Sequence, residues 1–236
     1  MTPPRTALVT GASRGIGLAI AQALADHGMR VAMLARDRNA LRAAAASLGE
    51  AALPMPCDVA DPRSLDAAIG RVRAELGDAP DVLVNNAGSF KLATADLADP
   101  RDFAEAIEVN LVAPFRLVHA FLPAMRARRR GHIVSIGSIA DHVALPENAG
   151  YAASKFGLRG LHEVIRLEVA NTGVRATLVS PGPVNTAMWD DINPDERPGF
   201  TPRASMLSSD AVAAVVAFVV MQPADVNIDE IRLSHA

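Results

Sequence analysis

TALVTGASRGIG, residues 6–17, runs a short β-branched apolar segment into a glycine turn and then into a second apolar stretch. A strand that breaks directly into a helix is the first half of a βα unit. Gly11, Gly15 and Gly17 admit positive φ and let other groups approach the backbone closely. The helix that follows offers unpaired N–H groups and the positive end of its dipole to an anion, and a pyrophosphate suits such a turn. The spacing is TGxxxGxG and not GxGxxG. Taken alone, a glycine-rich turn serves tight geometry as readily as phosphate.

The same alternation continues outward. Further strands are read at RVAMLA, ALPMPC, VLVN, HIVSI, RATLVS and EIRLS. Helical spacing fills 15–27, 38–48, 61–76, an interrupted 100–129, 149–171 and 208–221. Short apolar strands separated by longer helices predict an α/β fold, a doubly wound parallel sheet of seven strands with helices on both faces. The chain of 236 residues is read as a single domain. Residues 181–202 carry five prolines and Trp189, the only tryptophan, and they follow a strand. That places an irregular segment at the carboxyl edge of the sheet, where ligands bind, and it reads as a substrate lid.

Composition narrows the function classes. A net charge of -3 gives no global attraction to nucleic acid or an anionic membrane. No uninterrupted apolar run is long enough for a membrane span, and the start MTPPRTALVT lacks an export pattern, so the expected location is cytoplasmic. Cys57 is alone and reads as an inert packing residue. Six histidines lie without ligand spacing, so no metal is expected, and His142 reads as a surface-loop residue. RARRRGH, residues 126–132, reads as a solvated helix end.

Tyr151, the only tyrosine, stands four residues before Lys155, so both share one face of a helix. An ammonium so placed favours phenolate over phenol and is expected to lower the tyrosine pKa. The pair taken alone fits a packing tyrosine and a solvated lysine equally well. Order along the chain adds more. The turn TGASRGIG, CDV at 57–59, NNAG at 85–88, YAASK at 151–155 and SPGPVNT at 180–186 together resemble the short-chain dehydrogenase/reductase family. The resemblance spans nearly the whole chain and implies a Rossmann-type fold binding a nicotinamide dinucleotide.

It implies cofactor contacts at Gly11, Ser13, Arg14, Gly15, Ile16 and Gly17, at Asp58 and Val59 beside the adenine, and at Asn86, Ala87 and Gly88. Pro181, Gly182, Val184 and Thr186 would meet the nicotinamide, and Tyr151 and Lys155 its ribose. The implied catalytic tetrad is Asn110, Ser138, Tyr151 and Lys155, with Asn110 holding a water against the lysine. Ala35 occupies the place of the acid that accepts from the ribose in NAD-preferring folds, while Arg36 and Arg14 suit a 2'-phosphate. NADP(H) is therefore expected ahead of NAD(H), although a one-residue shift would put Asp37 in the acid's place.

These readings lead to an NADP(H)-dependent carbonyl reductase or alcohol dehydrogenase acting on a small molecule, with tyrosine as general acid and base. Reduction of 3-oxoacyl groups on an acyl carrier protein is the alternative. Thr172, where oxoacyl reductases usually carry arginine, and the tail ADVNIDEIRLSHA disfavour it. A third reading is a non-catalytic NADPH-binding regulator. The apolar stretches LVAPFRLVHAFL and LRGLHEVIRLEV point to a homodimer or homotetramer.

Overall fold

The structure is a computed structural model and describes residues 5–236. Its strands are β1 (Thr6–Thr10), β2 (Arg30–Ala35), β3 (Ala52–Pro56), β4 (Val82–Asn85), β5 (Gly131–Ile136), β6 (Val174–Pro181) and β7 (Glu230–Leu233). Its main helices are α1 (Gly15–Asp26), α2 (Arg38–Leu48), α3 (Pro62–Leu76), α4 (Pro100–Ile107), α5 (Ala113–Ala127), α6 (Ala149–Val169) and α7 (Ser209–Val220). All seven strands pair parallel in the order β3-β2-β1-β4-β5-β6-β7. The expected doubly wound sheet is present.

Alternation along each strand feeds two cores. Ala7 and Val9 of β1 face α1, α2 and α7, while Leu8 faces the side packed by α3, α5 and α6. Both faces are covered, which is why the strands read as continuous apolar runs. The order reverses between β1 and β4, and their carboxyl ends, Thr10 and Asn85, open the crevice where such sheets bind ligands.

The stretch expected as one interrupted helix is α4 and α5 joined by a single π turn, Glu108–Val112. Asn110 lies in that turn at 1% exposure. Its amide takes Ser89 N–H at 2.8 Å and donates to Ser89 O at 3.0 Å and Ser154 Oγ at 2.9 Å. Widened turns of this kind often mark functional positions. Pro100–Ala127 is also long and apolar enough to cross a membrane, yet Leu117, Phe121 and Met125 within it are core residues.

Candidate active site

The carboxyl edge of β1 is pinned to that of β4. Thr10 Oγ1 accepts the N–H groups of Asn86 and Ala87, both at 2.9 Å, and Asn86 Nδ2 donates to Thr10 O at 2.8 Å. The glycines are required by contact as well as by φ. A β-carbon on Gly17 would sit 2.2 Å from Gly11 O, and one on Gly11, whose φ is +67°, would sit 2.9 Å from Ala87 Cα. Gly15, also at positive φ, faces Thr186, whose Cγ2 would be 3.3 Å from an added β-carbon. The turn of α1 and the segment after β6 thus form the two lips of a narrow cradle.

Asp37, Asp61, Asp99 and Ser208 cap α2, α3, α4 and α7 with their side chains, whereas Arg14 gives α1 no such cap. The first amides of α1 are left to an external anion. The cradle, bare of side chains and lined with amides, fits a dinucleotide pyrophosphate. Residues Gly11 to Gly17 would hold it.

At the end of β2, Asp37 caps α2 through one oxygen: its Oδ1 accepts from Asn39 N at 2.9 Å and Ala40 N at 3.0 Å. Ala35 is the last residue of β2, and Arg36 is the first beyond it. Arg36 lies 3.6 Å from Glu105, with its side chain 64% exposed, and Arg14 is exposed beside the glycine turn. Asp58 Oδ1 accepts from Ala60 N at 3.0 Å, and Val59 is buried. On the other lip, Gly182 N donates to Leu233 O at 2.8 Å, Pro181 pairs with Leu233, and Val184 is buried. Gly88 lies beside Asn110, whose Oδ1 would be 3.5 Å from an added β-carbon.

Tyr151 and Lys155 occupy one face of α6, with Lys155 Nζ 5.6 Å from the Tyr151 ring centroid. Lys155 is buried and donates to Ile136 O at 2.8 Å. Burial holds its pKa down to about 8, against the opposing pull of the Asp141 carboxylate. The phenol does not follow the expected direction. Burial pushes the Tyr151 pKa above its ordinary value, the Ser138 side chain opposes this, and the Asp141 charge adds to it. Desolvation of the phenolate is the largest effect, and the Ser138 hydrogen bond offsets only part of it. Ser138 Oγ accepts from Ala140 N at 3.1 Å, which leaves the hydroxyl proton free to donate.

Sequence reasoning missed Phe90, which packs between Tyr151 and Trp189. Phe90 meets the Tyr151 ring edge-on at 4.7 Å and Trp189 at 5.3 Å, and Trp189 meets Phe200 at 6.3 Å. No motif flags Phe90; it stands two residues beyond NNAG. The irregular segment is held by long side chains: Arg203 bonds Asn185 Oδ1, Thr186 O and Asp190, and Arg197 pairs with Glu147 at 2.8 Å. Ser154, which anchors Asn110, also lacked a sequence signal, whereas Asp141 stands three residues after Ser138 and closes a capping box with it. His142, expected on the surface, is tied to Glu230 at 2.7 Å. Cys57 is buried, and burial pushes its thiol pKa up, in keeping with inert packing.

Known proteins share this architecture. A solved metagenomic short-chain oxidoreductase in complex with NADP superposes with a TM-score of 0.83 at 36% identity, covering 98% of this chain and 97% of that one. An alcohol dehydrogenase from the archaeon Thermococcus sibiricus, complexed with 5-hydroxy-NADP, gives a TM-score of 0.85 at 30% identity over 98% of this chain and 96% of that one. The 3-oxoacyl-[acyl-carrier-protein] reductase FabG of Escherichia coli (strain K12) is 36% identical over 91% of this chain and 89% of its own length. A D-threitol dehydrogenase of Mycolicibacterium smegmatis is 37% identical over 91% of this chain and 85% of its own. The family model for short chain dehydrogenases matches residues 5–197, and the chain belongs to the short-chain dehydrogenase/reductase family of oxidoreductases.

Proposed function

We propose that the chain is an NADP(H)-dependent oxidoreductase that interconverts a small carbonyl compound and its secondary alcohol. The observation that carries this reading is the stacking of Tyr151 on Lys155 beneath the Phe90–Trp189 wall, beside a Ser138 hydroxyl free to donate. The bound nicotinamide supplies or takes the hydride. Ser138 orients the substrate oxygen through its free proton. Tyr151 gives its proton to that oxygen as negative charge develops there, and takes it back in the reverse direction. Asn110 staples the loop after β4 to α6, holding Ser89 and Ser154 in place.

The raised Tyr151 pKa sets a direction with pH. The phenol is protonated at neutral pH, so reduction has its acid ready there, and oxidation needs alkaline conditions that ionise it. Arg14 and Arg36, with Ala35 closing β2 and Asp37 engaged in capping α2, support NADP(H) ahead of NAD(H).

Reduction of oxoacyl carrier substrates is the second reading, favoured by the identity to FabG. Thr172 in place of an arginine and the different tail weigh against it, and a comparable identity to a D-threitol dehydrogenase shows that overall similarity does not select the substrate. We read the chain as one domain acting in the cytoplasm on a small molecule, with no nucleic-acid or membrane partner. It pairs into a homodimer or homotetramer through α5 and α6, where Phe115, Val164 and Leu167 stand exposed. The test is an NADPH-oxidation screen over ketones, aldehydes, oxo-esters, quinones and an oxoacyl carrier thioester. Turnover on free carbonyls ahead of the thioester supports the reading; preference for the thioester selects the alternative, and binding of NADPH with no turnover on any compound selects a regulator.

A further inference from the structure

The turn that carries Ser138 is tied to the rest of the fold by groups with no part in the scheme above. Ser138 and Asp141 close a capping box over Ile139–Asp141, and the Asp141 side chain is wholly buried. Its Oδ2 accepts from Ser138 N at 2.9 Å and from Ser180 Oγ–H at 2.7 Å. The box uses only that oxygen. Oδ1 is sealed from solvent with no hydrogen bond of its own, and His142 Nε2 stands 3.1 Å from it. The same nitrogen is 2.7 Å from Glu230 Oε1, at the start of the edge strand β7. Arg159, on the helix that bears Tyr151, reaches Glu230 Oε2 at 3.3 Å and lays Nη1 against both ring nitrogens of His142. One imidazole thus joins the serine turn, β7 and α6.

These neighbours fix where the ring carries its hydrogen. Carboxylates only accept, so Nε2, which faces two of them, is the donor. A guanidinium only donates, so what Arg159 finds on the ring is the Nδ1 lone pair. The charges agree with this assignment. Arg159 and Arg232, the latter 3.7 Å from Glu230, match the two carboxylates one for one, and the ring is needed to direct a hydrogen rather than to supply charge. Asp141 is wholly buried, and His142, Glu230 and Arg159 are largely shielded. Removing the ring would leave Asp141 Oδ1 buried with no donor near it and would release the serine turn from β7 and α6.

Resting on the reading of the site given above, we propose that His142 is a positioning residue of the hydride-transfer site, an Nε2–H donor that locks the Ser138 turn to β7 and to the helix of Tyr151, so that the serine hydroxyl and the phenol keep one spacing. Two measurements on the full-length protein test this. With isotopically labelled histidine, the ring-nitrogen chemical shifts of His142, assigned by their loss in His142→Gln, should place the hydrogen on Nε2 at neutral pH; hydrogen on Nδ1 overturns the proposal. The second measurement is a double-mutant cycle on kcat with an active carbonyl. His142→Ala should lower kcat roughly 10-fold, as a small displacement of a positioned group does, and leave the NADPH dissociation constant unchanged. His142→Gln, whose amide donates from a similar reach, should restore most of the loss. In a Ser138→Ala background His142→Ala should cost nothing further, because its effect passes through the serine. The full loss repeated in that background overturns the proposal.

If His142→Ala does not fold, His142→Asn, which fills part of the space and falls short of both carboxylates, takes its place in the cycle. An unchanged kcat in the folded variant, beside intact wild-type turnover in the carbonyl screen, overturns this role alone. Absence of wild-type turnover in that screen overturns the function and this role with it.

Discussion

The two lips of the cleft are built from different materials. On the β1 side, backbone groups and small residues hold one another: Thr10 gathers two amides, Asn86 returns to Thr10 O, and Gly17 admits Gly11 O where no β-carbon fits. On the lid side, long side chains do the holding, through Arg203 to Asp190 and Thr186, Arg197 to Glu147, and a row of aromatic edges from Phe90 to Phe200. Backbone geometry has few solutions and suits a ligand common to many enzymes. Side-chain geometry has many, and it is where the choice of substrate resides.

The sharpest way to break this division is at the point where the lips meet. Tyr151→Phe keeps the ring against Phe90 and deletes only the hydroxyl, so turnover should drop roughly 10²- to 10⁴-fold while NADPH affinity, measured by fluorescence titration, is retained. Comparable loss of NADPH affinity would mean that the phenol belongs to the cofactor side and not to the chemistry. On the β1 side, replacing Arg14 and Arg36 together with alanine should weaken NADPH by roughly 10- to 100-fold, the worth of one or two charge-assisted bonds, and leave NADH nearly unchanged. Equal losses for both cofactors would show that the arginines do not read the phosphate. The lid should give the smallest effect. Arg203→Ala removes contacts that are largely solvent-exposed, each worth about 0.2–1 kcal/mol, so KM for an active carbonyl should rise a few-fold with NADPH binding unchanged. A parallel rise in the NADPH dissociation constant would show that the lid and the cradle are one unit.

The same division explains what could be read from the sequence. Gly11, Gly15 and Gly17 mark the tight turn, because positive φ at Gly11 and Gly15 and the contact of Gly17 with Gly11 O leave little room for other residue types. Helical spacing puts Tyr151 and Lys155 on one face, and the order of the surrounding motifs is what singles them out. Asp37 was ambiguous by one position until the bonds to Asn39 and Ala40 showed it to be a cap. Phe90 was not legible, because its surroundings come from partners far along the chain, Tyr151 and Trp189. The direction of the Tyr151 pKa was also hidden. Spacing shows the nearby lysine but not the depth of burial, which sets the direction.

The bonds between Thr10 and Asn86 join residues separated by 76 positions. Loop-closure entropy makes contacts of such sequence separation late events in folding, formed only once the two strands flanking the crossover have paired. The cofactor cradle is therefore absent from any intermediate in which β1 and β4 have not met. A nucleotide that binds only the finished cradle draws its stabilisation from the native state alone. It should slow unfolding in proportion to its occupancy and leave the folding rate untouched, so that the cell's pool of nucleotide protects molecules that have already completed the sheet.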